Sequence, residues 1–132
     1  MIVENFKLSG SQRRAIADVG VVIPTLNEEK NIEDVLFSLK NQGYCNILVI
    51  DGMSKDKTTK IATRNGVKVI LQNGKGNGSA IRQVLNNGYL DADAIVMMDA
   101  DGSMDPKEIH SYVEALNSGA DVVKGSRFMK GG

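Results

Sequence analysis

Five short apolar runs recur along this chain about 25 residues apart, a spacing typical of βα units. Each run is apolar nearly throughout and is bounded by Gly, Asn or Asp. Continuous apolar runs, unlike alternating ones, are typical of parallel strands that are covered on both faces. We therefore predict strands at Val19–Pro24, Asn46–Ile50, Val67–Leu71, Ala94–Met98 and Asp121–Val123.

Helical patterns occupy the segments between these runs. Apolar residues fall at helical spacing over Glu28–Gln42, more weakly after Asp56, around Ile81–Leu85 and over Ile109–Leu116. Glycines expected to end the four helices are Gly43, Gly66, Gly88 and Gly119. Strands that alternate with helices predict an α/β fold with a mainly parallel sheet, in which ligands bind outside the carboxyl ends of the strands.

Composition places the chain among globular proteins. Its 132 residues fit one domain, and 42% of them are hydrophobic. A net charge of zero argues against broad electrostatic binding to nucleic acid. The single cysteine, Cys45, excludes an internal disulfide framework, favours a reducing compartment and is expected to be buried.

Residues 1–18 lack the apolar core of a signal peptide, and we expect a short helix or a loose lead-in there. No stretch approaches the roughly 18 to 20 apolar residues of a transmembrane helix. The predicted organisation is therefore a lead-in over residues 1–18 and a binding domain over residues 19–132.

Polar residues gather directly after the predicted strands, where one sheet edge would bring them into a single cleft. Asp99 and Asp101 follow the fourth strand and would repel each other unless a cation neutralises them. Carboxylate oxygens suit Mg²⁺ or Mn²⁺, which keep coordination positions for phosphate oxygens. The alternative is a solvated acidic turn that caps the next helix.

Other candidates follow the remaining strands. Asp51 either accepts a hydrogen bond from a base or ribose or caps a turn, and Asp56 and Thr58 are expected at a turn and a helix start. The loop around Lys75 lacks the Walker and dinucleotide-binding spacings, so it either lets a nucleotide approach its glycines or is a simple turn. Arg127 either grips a phosphate or is a surface residue.

Together these segments resemble the nucleotide-sugar-binding half of an inverting family 2 glycosyltransferase of the dolichyl-phosphate mannose synthase and polyprenyl-phosphate glycosyltransferase group. The resemblance implies part of a three-layer, Rossmann-like nucleotide-diphospho-sugar transferase (GT-A) fold. It runs from about Val19 to Gly132, and five motifs in order are far more specific than one. The segments that carry it are Val22–Glu28, Ile50–Thr58, Gly74–Gly78, Met98–Gly102 and Gly125–Arg127.

The resemblance implies a nucleoside pocket lined by Pro24, Asn27 and Glu28. Asp51 would hydrogen-bond the base, and Lys75–Gly76 would form the wall near base and ribose. The family often has Asp-Asp-Gly-Ser where this chain has Asp-Gly-Met-Ser from residue 51, so the base contact departs from the family pattern.

The resemblance also implies a catalytic metal and diphosphate motif at Asp99 and Asp101, which would hold Mg²⁺ or Mn²⁺. Ser103 stands where some relatives have a Gln metal ligand, and it would be a weaker ligand. Arg127 would help to hold the phosphate or the donor.

The implied activity is sugar transfer with inversion from a GDP- or UDP-sugar to a polyprenyl or dolichyl phosphate or a glycan acceptor. Family members have further residues after the fifth strand, so we expect this chain to be the donor-binding part of a longer enzyme and incomplete for catalysis alone. The implied location is the cytoplasm or the cytoplasmic face of a membrane. Peripheral membrane association of the full-length protein and a homo-oligomer stay open.

Other classes fit the residues less well. A sugar-nucleotide pyrophosphorylase would have a Gly-rich, Arg-containing loop where this chain has Pro24–Glu28. A receiver domain would have acidic residues where Thr25-Leu26 and Gln72-Asn73 stand. A non-catalytic α/β nucleotide-binding or interaction module remains the alternative.

Overall fold

A six-stranded sheet runs through the part of the chain that the computed structural model describes, namely residues 2–5, 19–90, 94–102, 105, 108–111 and 122–124. The strands are β1 (Ile2–Asn5), β2 (Val19–Thr25), β3 (Ile47–Asp51), β4 (Lys68–Leu71), β5 (Ala94–Met97) and β6 (Val122–Lys124). Their order in the sheet is β4-β3-β2-β5-β1-β6. The neighbours β4, β3, β2 and β5 are parallel, which confirms the predicted parallel sheet.

Helices pack on both faces of this sheet. They are α1 (Ile32–Asn41), α2 (Thr58–Arg64) and α3 (Gly76–Asn87), and they connect β2, β3, β4 and β5 in turn. Val21 and Ile23 of β2 belong to one core cluster with α1 and α2, whereas Val22 belongs to a second cluster with α3. Alternate residues of one strand are therefore buried on opposite faces, which explains why the runs are apolar nearly throughout.

The first three helices end at glycines, as predicted. Gly43, Gly66 and Gly88 have φ angles of 94°, 77° and 62°, in the left-handed region that favours a residue without Cβ. Gly119 lies outside the described residues. Of the fourth predicted helix only residues 108–111 are described, and Ile109 is fully buried in the cluster of α1 and α2.

The N-terminal strand was not predicted. Ile2–Asn5 lies between β5 and β6 and is antiparallel to both, where the sequence suggested a short helix or a loose lead-in. Only Ile2 and Val3 of its four residues are apolar, so it lacks the continuous apolar run that marked the other strands. The division of the chain at residue 18 stays a prediction, and no described helix is long and apolar enough to cross a membrane.

Cys45 is exposed, so the prediction of a buried cysteine was wrong. It precedes β3, and the neighbouring Tyr44 takes the buried position with 1% exposure. The larger aromatic side chain buries more apolar surface there than the thiol would.

Candidate functional site

A cavity of about 460 Å³ opens at the carboxyl ends of the four parallel strands. Residues after β2, β3, β4 and β5 all contribute to it, which confirms the predicted shared cleft for these strand ends. Its lining consists of Pro24, Thr25, Leu26, Gly52, Gln72, Gly74, Lys75, Gly76 and Asp99.

The predicted site residues differ in their relation to this cavity. Pro24, Lys75, Gly76 and Asp99 line it. Asp101 is exposed two residues beyond Asp99. Asn27 and Glu28 lie on the loop after β2, Asn27 exposed and Glu28 half-buried. Ser103 and Arg127 lie outside the described residues.

The Asp51 carboxylate is buried, with 1% exposure, and is held by its own chain. Its Oδ1 accepts hydrogen bonds from the hydroxyls of Thr25 at 2.7 Å and Ser54 at 2.6 Å. Its Oδ2 accepts one from the backbone N–H of Ser54 at 2.7 Å. These contacts give Asp51 the turn-capping role, and its contact with a base stays a prediction.

Side chains of the loops after β2 and β3 hold the two loops together. Asn27 donates its backbone N–H to the Ser54 hydroxyl at 2.8 Å, and its Oδ1 accepts the Lys55 N–H at 2.8 Å. The Glu28 N–H donates to the Thr58 hydroxyl at 2.8 Å. Asn27 and Met53 have φ angles of 55° and 71°, and the contacts of Asn27 stabilise its left-handed backbone.

Asp56 lies in the turn before α2, and Thr58 begins the helix, as predicted. Partial burial raises the pKa of its carboxyl, but hydrogen bonds from the Thr58 hydroxyl and backbone and from the Glu29 backbone outweigh burial and lower it below the ordinary value. An ionised carboxylate at this place accepts three donors from two loops.

Glu28 is in a very different electrostatic environment. Burial raises the pKa of its carboxyl, and the negative charges of Asp101, Asp56 and Asp99 raise it further, against a hydrogen bond from Asn31 that lowers it. Its Oε2 atom is buried and has no hydrogen-bond partner among the described residues. The acidic end of the cleft is therefore a region of negative potential with an unused acceptor.

These carboxylates fit a divalent metal ion in their chemistry. Mg²⁺ binds through one or two carboxylates and completes its coordination with water and phosphate oxygens. No group of three His, Cys, Asp or Glu side chains converges on one point in the described part of the chain. The unpartnered Glu28 Oε2 and the neighbouring Asp99 and Asp101 thus suit an ion that a phosphate ligand shares, rather than a closed structural site.

Glycines shape the wall of the cavity at the start of α3. A Cβ on Gly74 would lie 2.1 Å from the Ser79 hydroxyl oxygen, so a larger residue there would require the Ser79 side chain to move. Gly76 has a φ angle of 83°. Close approach of a nucleotide to these glycines stays a prediction, and Lys75 between them contributes a cation to the cavity wall.

Two glutamines that sequence reasoning missed define the end of β4. Gln83 on α3 is 8% exposed; its Nε2 donates to the Leu71 carbonyl at 2.7 Å and its Oε1 accepts the Asn73 N–H at 2.7 Å. Gln72, between them, lines the cavity. The sequence does contain a signal for Gln83, because it is a polar residue three positions after Ala80, on the apolar face of a predicted helix.

The fold and this cavity define an α/β protein with a nucleotide-sized cleft at the carboxyl ends of its parallel strands. A family model described as "Glycosyl transferase family 2" matches residues 20–132. The chain belongs to this family, which confirms the resemblance that its motifs indicated.

Relatives with assigned names support the same family. Glycosyltransferase AglJ of Haloferax volcanii is 36% identical over 110 residues, which are 83% of this chain and 36% of that protein. Dolichol-phosphate mannosyltransferase of Pyrococcus furiosus is 37% identical over 124 residues, with 86% of this chain and 34% of that protein covered. The chain therefore spans well under half the length of these two relatives.

Solved structures confirm the fold class. Glucosyl-3-phosphoglycerate synthase from Mycobacterium tuberculosis, in complex with Mn²⁺, uridine diphosphate and glucosyl-3-phosphoglycerate, matches with a TM-score of 0.65 and 27% identity. The match covers 78% of this chain and 40% of that chain. It places the parallel sheet and its helices among GT-A glycosyltransferases.

Proposed function

We propose that this chain binds the nucleoside-diphosphate-sugar donor of a glycosyltransferase in the cavity at the carboxyl ends of β2–β5. The observation that carries the proposal is the polarity of this cavity, which has the Asp99 carboxylate after β5, Gly74 and Lys75 before α3, and an uncharged region between them. That distribution suits a ligand with an anionic, metal-binding end and a neutral, planar end. The matched mycobacterial synthase is described with Mn²⁺ and uridine diphosphate.

We assign the site residues the following roles in binding the donor. Asp99 and Asp101 would hold Mg²⁺ or Mn²⁺, with Ser103 as a further ligand, and that ion offsets the charge of the leaving nucleoside diphosphate. Lys75 in the cavity wall contributes a positive charge at the same ligand. Pro24 forms part of the wall against the nucleoside, and Arg127 is proposed to grip a phosphate.

In the whole protein, the acceptor oxygen would attack the anomeric carbon from the face opposite the diphosphate, so that the sugar is transferred with inversion. A polyprenyl phosphate is already ionised and needs little help from a general base. The Pyrococcus furiosus relative is named as a dolichol-phosphate mannosyltransferase, which supports a lipid phosphate as the acceptor class. This chain alone is expected to bind the donor and to transfer sugar poorly.

Calorimetric titration of the chain with UDP and GDP, with and without Mn²⁺, tests the proposal. We expect one nucleotide to bind only when the metal is present, and the Asp101→Asn substitution to weaken that binding by at least about tenfold, since it removes a charged metal ligand. Asp34→Asn removes the same charge from an exposed position on α1 and is the matched control. Nucleotide binding that is absent, or that is unchanged in Asp101→Asn, would contradict the proposed donor site and favour an interaction module.

A further inference from the structure

Gln72 is held rigidly where β4 meets the cavity. Its backbone N–H donates to the Asp51 carbonyl at 2.8 Å, and its side-chain Nε2 donates to the Gly76 carbonyl at 2.9 Å. Both of its neighbours along the chain are held by the buried Gln83 side chain. A side chain that is fixed before a ligand arrives loses little entropy on binding.

The orientation of the Gln72 amide follows from these contacts. The Gly76 carbonyl can only accept a hydrogen bond, so the amide nitrogen must face it and the amide oxygen must face away. That oxygen, Oε1, lies 4.0 Å from the point that a Cβ on Gly52 would occupy, and Gly52 also lines the cavity. No described residue donates a hydrogen bond to Oε1 in the part of the chain whose contacts are known. The cavity thus contains a preoriented acceptor beside a residue without a side chain.

Gln72 lies at the end of the cavity farthest from the carboxylates. It follows β4 and Asp99 follows β5, and these are the two outer strands of the parallel group β4-β3-β2-β5. Three strand spacings of roughly 4.8 Å separate them by about 14 Å across the sheet. A nucleoside diphosphate whose phosphates lie at the acidic end would therefore extend its base toward Gly52 and Gln72.

We propose that Gln72 selects the nucleobase of the donor, an inference that rests on the proposed function. Its Oε1 accepts a hydrogen bond from a ring N–H, which uracil has at N3 and guanine has at N1. Cytosine and adenine present a lone pair at the equivalent ring nitrogen, so two acceptors would face each other without a proton between them. The donor is therefore a sugar linked to a nucleotide whose base has a ring N–H, such as UDP, dTDP or GDP, and this one side chain disfavours sugars linked to CDP or ADP.

Equilibrium binding of UDP, GDP, CDP and ADP to the chain in the presence of Mn²⁺ tests this assignment. We expect UDP or GDP to bind at least about tenfold more tightly than CDP and ADP, because two acceptors that face each other without a proton between them cost about that much. Gln72→Met removes the acceptor and should reduce the preference to about twofold or less.

Comparison of nucleotides of equal charge cancels any general effect of a substitution on diphosphate binding. Gln42→Met makes the same change at a glutamine near the end of α1 and should leave the preference as in the parent chain. An unchanged preference in Gln72→Met, or a parent preference for CDP or ADP, would overturn the role of Gln72 and leave the donor site intact. Failure of all four nucleotides to bind would overturn the proposed function and this inference with it.

Discussion

At the scale of single residues, two carboxylates of the cleft illustrate how environment decides what a side chain does. Asp51 is almost completely buried, yet three hydrogen bonds satisfy its two oxygens. Glu28 is only half-buried, yet one of its oxygens has no partner and three other carboxylates act on it. Asp51 therefore stabilises the folded loop, whereas Glu28 is available to a ligand that brings positive charge.

We expect Glu28→Gln to change stability in a pH-dependent way. Burial, and then the charge of Asp101, raise the pKa of Glu28 in the folded chain above that of the unfolded chain. The folded state therefore holds this proton more tightly, and stability falls as pH rises from the unfolded pKa through the folded pKa. Because Gln does not ionise, the variant should gain free energy of unfolding relative to the parent as pH rises through this window.

Urea denaturation of both proteins at several values from about pH 4 to pH 7 measures this difference. Glu33→Gln is the control, since it removes an exposed carboxylate that pairs with Arg64 on α2 at 3.5 Å. If the stability difference between Glu28→Gln and the parent does not vary with pH, the folded chain does not raise the pKa of Glu28. That result would contradict the negative potential assigned to this end of the cleft.

Sequence reasoning identified the acidic residues at the strand ends but not which of them are satisfied. The hydrogen-bond partners of Asp51 include Thr25, which is 26 residues away in the chain. The pKa of Glu28 is raised in part by the charge of Asp101, which is also distant in sequence. Such pairings depend on the order of strands in the sheet, which short apolar runs do not encode. Asp56 and Thr58 were predictable because their contact spans only two residues.

At the scale of elements, the segment that joins β4 to α3 forms the half of the cavity that lies opposite Asp99. Gln83, about two turns into α3, pairs with both backbone groups that flank Gln72. Gly74 and Gly76 permit the close turn that brings Lys75 into the cavity wall. The sequence predicted this loop and its glycines, whereas the glutamine contact could be identified only once α3 was packed against β4.

Gln83→Leu is expected to destabilise the chain by about 2 kcal/mol, because it leaves the Leu71 carbonyl and the Asn73 N–H without their partner. Leucine fills a similar volume beside Ala80 and Val84, so the loss reports the hydrogen bonds rather than a cavity. Chemical denaturation measures the change, and Gln42→Leu should shift stability by less than about 0.5 kcal/mol. Equal, small effects of the two substitutions would contradict the role assigned to Gln83.

At the scale of the whole molecule, the sheet order determines what the cleft can bind. The parallel group β4-β3-β2-β5 aligns four strand ends in one row, with Gln72 at one end and Asp99 at the other. This arrangement was predictable as a class, because alternating strands and helices favour a parallel sheet with a ligand at its carboxyl edge. The place of β1 between β5 and β6 was not predictable, since this short strand is recognised only by its pairing with those two strands.

Above all, the row of strand ends is proposed to be a metal-dependent nucleotide site, with the phosphates near Asp99 and the base near Gln72. Backbone amide NMR of the chain with UDP or GDP tests it most directly, first with Mg²⁺ and then with paramagnetic Mn²⁺. With Mg²⁺ we expect shifts at Gly52 and Gln72 together with residues 99–102. With Mn²⁺ we expect line broadening that is strongest at residues 99–102 and much weaker at Gln72. Shifts outside the cavity, or broadening centred on Gln72, would contradict the claim.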